Sequence, residues 1–517
     1  MSACKLRLNS SDGLLAFAMR CASSKSASSI VIVVRIFYPF RIKYIINYAK
    51  NHGTNVVWYR DGDILYNAFV AGARFLIYAR LRRFTRDSIN IRFKFGELTM
   101  SDTNQYDERL KRVQDAVDLK EPDAVPLVIR VSGAPYYLYK TGGSHAAAFY
   151  DFEKSAQAFI RFHEEFQPDV RSAPLSQSGK ANEIAEPTMM DWPGRPGTPV
   201  PDLSTYQVLE HEYMSQDEYD EFIDDYSAFI FGKFIPRAYK TFKAFERFKV
   251  NPTLFTGMGA FTNMLNDDVK TMMQSFIGMI DEQKSFQQSM AALDKKLDEM
   301  GFPPFITGMC VVPYDHISDN FRGTMGIFED LLEIPEKIAR ANEMIAGLQI
   351  KYLNYLERVP MKVKRVFFPL HKGMDGFMSP KQYDELYWEP FQTVLKYLVS
   401  IGVTPFIYTE GRYETRVDYI RERLLELPAG SCIIHFEQGD FAELKKKFSG
   451  IASLIGGMPI YLLEYGTKQQ VIDRVKYLID NCASGGGYML SGSASFEKVK
   501  RENFEAMFET ARTYGKK

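Results

Sequence analysis

Several apolar and β-branched runs in the chain end abruptly in groups that can carry chemistry. Within 403–440, Phe406-Ile407-Tyr408 leads into Thr409-Glu410-Gly411-Arg412, and Ile433-Ile434 leads into His435-Phe436-Glu437. The apolar run 363–370 delivers His371 and then Asp375, and 125–131 carries Arg130 among apolar residues. Barrel enzymes keep their chemistry just past the carboxyl ends of parallel strands. Imidazole and carboxylate groups placed there serve proton transfer or metal binding. His435 and Glu437 are two apart, so on a continuing strand both point to one side and could share a metal. Glu410, from the adjoining strand, would be the third ligand. A polar pair facing the mouth, or a structural hydrogen-bonded pair, explains the same spacing. Glu410 is equally an acid/base group or an ion-pair partner of Arg412 or Arg416. Arg130 reads as an anion clamp, since an arginine on an apolar strand is costly unless paired. His371 is an active-site group or a helix cap. Asp315, Asp319 and Arg322 read as a solvated charge cluster or as part of the same mouth. Gly485-Gly486-Gly487, ahead of a strand, reads more readily as a turn than as a phosphate cradle.

The elements that must position these groups follow from Met100 onward. Helices are expected at 107–119 and 151–165, in an amphipathic stretch of 215–300, at 335–356 and 381–400, and at 467–480 and 497–514. Ser379-Pro380-Lys381-Gln382 is a helix start with a cap, a first-turn proline and a capping-box glutamine. Thr467 with Gln470 repeats the device. The strands expected are 125–131, 169–175, 302–310, 363–370, 406–408, 433–434, 452–456 and 487–490. Eight strands separated by helices call for a (β/α)8 TIM barrel. A Pro/Gly-rich excursion at 176–206 reads as a lid over the site, and 177–300 as lid plus inserted helical subdomain. The methionines of that insertion read as core filler.

The chain has 517 residues, is 46% hydrophobic and 25% charged, and carries no net formal charge. Such a balance gives no sign of a nucleic-acid or acidic-lipid partner. Five scattered cysteines, never in CxxC spacing, suit a reduced cytoplasm and make no thiolate metal cluster. No apolar run reaches the ~20 residues that span a bilayer. Residues 1–99 stand apart, being rich in arginine and serine and without a persistent helix or strand period. They are an atypical basic extension, expected to be translated upstream sequence with the true start at Met100. Gly96-Glu97 is encoded by codons that permit a purine-rich ribosome-binding site there. A targeting presequence or a real domain are the other readings.

The C-terminal half has a further pattern. The run PLHKGMDGFMSPKQYDELYWEPF, a strand ending in TEGR, then IIHFEQGD, IGGMP, GTKQQV and GGGYMLSG occur in the order found in the uroporphyrinogen decarboxylase superfamily, which the chain resembles from 125 to its end. That superfamily holds the haem-pathway decarboxylase, a lyase acting on a porphyrin precursor, and cobalamin-dependent methyltransferases of anaerobic metabolism, all on a (β/α)8 barrel. The decarboxylase's arginine loop matches 129–134, with Arg130 kept and Ala134 in place of the second arginine. Its essential aspartate falls near Ser176 and its late histidine at Ser493. The methyltransferases' zinc-binding His-x-Cys matches His435-Phe436-Glu437, with a second cysteine position at or near Ser493. The resemblance thus implies a methyltransferase-like enzyme acting on a small methylated substrate, with zinc on His435, Glu437 and Glu410. Glu410, His371 and Arg130 would be catalytic, and a partner protein would carry the corrinoid. Decarboxylation of a tetrapyrrole or other carboxylated substrate, or tetrapyrrole binding without catalysis, are the alternatives.

Overall fold

The computed structural model describes residues 100–139, 143–249 and 257–516, with side chains from 105, and the backbone of six strands between Ala3 and Val70. Two compact units divide the chain, Met1–Leu98 and Thr99–Lys517. In the first, the strands Ala3–Leu8, Leu15–Ser23, Ser29–Ile36, Ile42–Ala49, Thr54–Arg60 and Asp63–Val70 pair antiparallel in chain order. The sequence reading found no lasting period there. Runs such as SIVIVVRI are continuous rather than alternating, so a test for period two passes over them.

In the second unit, six strands form one parallel sheet in sequence order. They are β1 (Gly308–Met309), β2 (Arg365–Leu370), β3 (Thr404–Thr409), β4 (Ile433–Phe436), β5 (Ser453–Met458) and β6 (Tyr488–Gly492). Helices connect them, as parallel pairing requires. Among these are α1 (Met100–Val117) ahead of the sheet, α2 (Phe152–Phe166), the 33-residue α3 (Asp267–Glu299) and α4 (Pro335–Leu353). Later come α5 (Glu389–Ser400), α6 (Lys468–Cys482) and α7 (Arg501–Tyr514). Both capping boxes form. The Ser379 N–H reaches Gln382 Oε1 at 3.0 Å, and the Thr467 N–H reaches Gln470 Oε1 at 2.8 Å.

Three of the expected strands depart from regular pairing. Residues 125–131 make isolated parallel bridges, Leu127 with Leu490 and Val131 with Phe496. Residues 169–175 form no strand, although the Asp169 N–H donates to Leu127 O and the Arg171 N–H to Pro303 O. The third shrinks from 302–310 to β1. Pro126, Pro168, Pro174, Pro303 and Pro304 explain this, because each removes an N–H that a ladder needs.

One apolar cluster takes a residue from each of the eight segments: Val128, Val170, Phe305, Phe367, Phe406, Ile433, Ile455 and Met489. Val113, Ala116 and Val117 of α1 pack into the same cluster. The excursion after residue 175 is ordered by a short helix, Gly179–Ala185, and by Met190–Asp191 pairing with Gln207–Val208. Trp192 anchors it, fully buried and stacked on Phe149.

Candidate active site

The sheet register aligns three chemically active residues. Leu370 pairs with Thr409, and Thr409 with Phe436, so His371, Glu410 and Glu437 follow the last paired positions on three neighbouring strands. Backbone bonds carry the ladder one step further, from Glu410 N–H to Leu370 O (3.3 Å) and from Glu437 N–H to Thr409 O (3.2 Å). His371 Nε2 lies 3.5 Å from Glu410 Oε2. On its other side, His371 Nδ1 stands 2.6 Å from Asp319 Oδ2.

A turn of helix, Pro313–Ile317, continues into a wider turn, Ser318–Arg322, and brings Asp315 and Asp319 to this point. Asp315 is fully buried and accepts three bonds: from the His371 N–H (2.9 Å), the Lys372 N–H (3.0 Å) and the Tyr387 hydroxyl (2.7 Å). It fixes the backbone from which His371 projects. Gly373 completes that turn, because a Cβ there would stand 2.7 Å from the Tyr387 ring. Burial, then the nearby Asp319 charge, pushes the Asp315 carboxyl up to about 6. Burial opposes a charge on His371, but the Asp319 hydrogen bond and the fields of Asp315, Asp319 and Glu410 outweigh it and carry the imidazole up to about 9. At neutral pH His371 is therefore an imidazolium. Its proton faces Glu410, a carboxylate whose side chain is 50% exposed.

Arg130 lies over aromatic residues of β2 and β3. Its guanidinium lies 4.9 Å from the Tyr408 ring centre, 5.1 Å from Phe367 and 5.7 Å from Phe406. Among the described residues it makes no hydrogen bond or ion pair, and its Nε is buried without a partner. Burial lowers its pKa, while Tyr408 and Glu410 act to raise it. Tyr408 links this floor to the far rim through its hydroxyl, 3.4 Å from Ser493 O.

The metal set expected from His435, Glu437 and Glu410 is not assembled. Among the described residues, no three His, Cys, Asp or Glu side chains gather in a way that could hold a metal ion. His435 is fully buried, parallel to the Phe406 ring (6.2 Å) and tilted against Tyr408 (4.7 Å). Burial first, and Arg130 second, depress its pKa well below the ordinary value, so it is neutral. Glu437 turns instead to the Gly411 N–H. The alternation argument fails here because β4 ends at Phe436, one residue before Glu437. The chemistry of the donors agrees, since an arginine beside His435 disfavours a divalent cation.

Asp315, Asp319 and Arg322 are not a solvated cluster. Arg322 is buried and bonds Asp330 through Nε (2.5 Å) and Nη2 (2.9 Å). Asp375 stays outside the constellation, accepting from the Thr415 hydroxyl at 2.6 Å. Nothing in the local sequence pattern marks Tyr387 or Lys372, nor Glu210, whose carboxylate takes Lys372 Nζ at 3.1 Å. The same holds for Glu497, past β6, which accepts from the Ser132 hydroxyl and faces His145 Nε2 at 3.1 Å. Pro313 as a helix start, with acids four apart behind it, was the available signal for Asp315 and Asp319.

No known family profile and no curated protein matches the chain. Among solved structures, a methyltransferase from Methanosarcina mazei matches with a TM-score of 0.50 and 12% identity, over 78% of this chain and 98% of the other. That likeness is one of fold: the chain has a methyltransferase-like fold. The 3-keto-D-glucoside 4-epimerase YcjR from E. coli, in its apo form, matches at a TM-score of 0.24 and 14% identity, over 44% of this chain and 84% of the other, too slight a likeness to carry an argument. No helix among the described residues is long and apolar enough to cross a membrane.

Proposed function

We propose that residues 100–517 form an enzyme of the uroporphyrinogen decarboxylase superfamily, nearer its methyltransferase-like members, that moves a methyl group from a small methylated substrate. The observation that carries this reading is the imidazolium of His371, fixed between Asp319 and Glu410 at the carboxyl edge of the parallel sheet. The methyltransferase-like fold supports the class. A closed eight-segment barrel is supported by the backbone bonds that run from β6 to 125–131, to Asp169, on to Pro303, and from Thr307 to Arg365. The inner cluster with one residue per segment supports it too. In this reading 177–300 is lid and inserted subdomain, 1–99 is a separate extension, and the protein works in the cytoplasm.

The reaction needs an acid. As the bond between methyl and heteroatom breaks, its electron pair stays on the heteroatom, and His371 Nε2 supplies the proton that neutralises it. Asp319 holds the other ring nitrogen and stabilises the charged form. Glu410 relays a proton back from solvent. Arg130 grips an anionic group of the substrate. A general acid so placed contributes roughly 10²–10⁴-fold to a rate. A corrinoid on a partner protein would supply the methyl-accepting metal centre, and none of these roles depends on its geometry. Zinc does not fit the donors as they stand, so no step is routed through one.

A second reading keeps decarboxylation. It is favoured by Arg130, a cation with no anionic partner among the described residues, which suits a substrate carboxylate. The separating experiment uses full-length protein after metal chelation, with panels of methylated donors (cobalamin as acceptor) and of carboxylated substrates including a porphyrinogen. Methyl transfer that falls at least ~100-fold in His371→Gln and survives in Glu437→Ala supports the first reading. Carbon dioxide release dependent on Arg130 supports the second. Tetrapyrrole binding without turnover of either panel would leave both behind. Activity that requires zinc and Glu437 would overturn the metal-free site.

A further inference from the structure

A chain of alternating charges crosses the mouth. Glu210, on the excursion, accepts from Lys372 Nζ at 3.1 Å, and the same Nζ stands 3.7 Å from Asp319 Oδ1. Asp319 Oδ2 holds His371 Nδ1 at 2.6 Å, and His371 Nε2 faces Glu410 at 3.5 Å. Asp319 therefore serves two cations, one on each oxygen, and serves them unequally. His371 is within hydrogen-bond distance, and Lys372 is beyond it. The ammonium is held back by Glu210 and by the Thr324 hydroxyl, which accepts from Nζ at 2.8 Å.

Glu210 is fixed from both sides. The Leu209 N–H bonds Met189 O at 2.7 Å, beside the ribbon of Met190–Asp191 and Gln207–Val208. Beyond it, the N–H groups of Tyr213 (2.8 Å) and Met214 (3.0 Å) bond Phe321 O, on the turn that carries Asp319. The carboxylate also takes the Thr324 hydroxyl at 2.5 Å. Lys372 has little freedom of its own: its N–H is on Asp315, and its side chain is only 13% exposed. Without the Glu210 charge, the ammonium would close on the other carboxylate beside it, Asp319 Oδ1. It would then offset the field that favours the imidazolium, and His371 would lose its proton more readily. The remaining charges facing His371 are Asp315 and Glu410. Tyr314, Tyr387 and Tyr413 stay neutral because burial raises them well above the ordinary range, and His316 is neutral because burial lowers it to about 4.

We propose that Glu210 is a positioning residue for His371: by holding Lys372 off Asp319 it reserves that carboxylate for the imidazolium. The excursion and the acid are thereby coupled through one lysine. That the proton of His371 is used in catalysis rests on the methyl-transfer reading, but the coupling stands on the contacts alone.

The test is an NMR pH titration of His371 in substrate-free, full-length protein, for wild type, Glu210→Gln, Lys372→Met and the double variant. A charge a few ångströms away shifts a pKa by about 1–3 units, and Lys372 acts on His371 across Asp319, so the lower end applies. Glu210→Gln should lower the midpoint by about one unit. Lys372→Met should move it upward, a change of opposite sign that loss of fold does not mimic. In the Lys372→Met background, adding Glu210→Gln should have roughly a third of its effect or less, because only its direct field remains. Glu212→Gln removes a charge from the same segment, but one bound to Arg322, and should leave the midpoint in place. A midpoint unchanged or raised in Glu210→Gln overturns the proposal, and so does an equal fall with and without Lys372. Where a methyl donor turns over, the alkaline limb of kcat/KM should shift down with the midpoint in Glu210→Gln. Midpoints that shift as stated with no transfer from any donor would refute the reaction and leave the coupling standing. Transfer with midpoints that do not shift would do the reverse.

Discussion

Asp319→Asn removes a charge 2.6 Å from His371 Nδ1 while keeping a side chain of the same shape. In the wild type, burial opposes the imidazolium, and the Asp319 bond leads the effects that raise it to about 9. Without that charge, burial is opposed only by Asp315 and Glu410, and the midpoint moves toward the ordinary 6.5. At pH 7.5 the protonated fraction then falls from about 97% to about 10%, so a step needing that proton slows about tenfold, and lowering the pH to 6 restores most of the rate. The measurement is an NMR pH titration of ring-labelled histidine, with the signal assigned by its loss in His371→Gln among the seven histidines. Stability gives an independent reading. A folded-state pKa above the unfolded value contributes stability that is full below about 6.5 and lost as pH rises through about 9. The wild-type Tm should therefore fall more across that window than the Tm of Asp319→Asn. A His371 midpoint still near 9 in the variant would refute the electrostatic argument.

Other outcomes follow from particular contacts. Arg130→Met should leave Tm unchanged or higher, because it removes a part-buried cation without a partner, while turnover drops by two orders of magnitude or more; a large fall in Tm would contradict this. Asp330→Asn breaks the buried pair with Arg322 and should cost about 3–5 kcal/mol in denaturant unfolding. Gly347→Ala, inside α4 with nothing beyond its chain neighbours and the adjoining helix backbone within 4 Å of the new Cβ, should add roughly 0.5–1 kcal/mol. Gly133→Ala should lower Tm, since its Cβ would stand 2.4 Å from Glu497 Oε2 and 3.2 Å from the Glu497 backbone; an unchanged Tm would show that the Glu497 loop yields freely.

The later half of the fold was legible because its strands are continuous β-branched runs that stop at polar residues, and its helices open on capping boxes at Ser379 and Thr467. The earlier strands were less so. Their prolines keep the apolar pattern yet remove ladder donors, so apolarity alone overstates their regularity. His371, Glu410 and Arg130 were found from their places after or within apolar runs, and the register then shows why His371 and Glu410 meet. Glu437 was read as a partner of His435 because alternation was extended one residue past the true strand end. Asp315 and Asp319 looked like surface charge, since nothing local in the sequence tells that Tyr387 and the backbone at His371 and Lys372 will bury Asp315. Their contacts span more than fifty residues of chain.

The account rests on His371 acting as an acid without a metal. The most direct measurement is the pH dependence of kcat/KM for methyl release from the best donor of the panel, on chelated full-length protein, with wild type and His371→Gln side by side. The account predicts a wild-type rate that falls away as pH rises through about 9, and a variant at least ~100-fold slower in which that limb is gone. A variant with the wild-type rate and the same falling limb would contradict it.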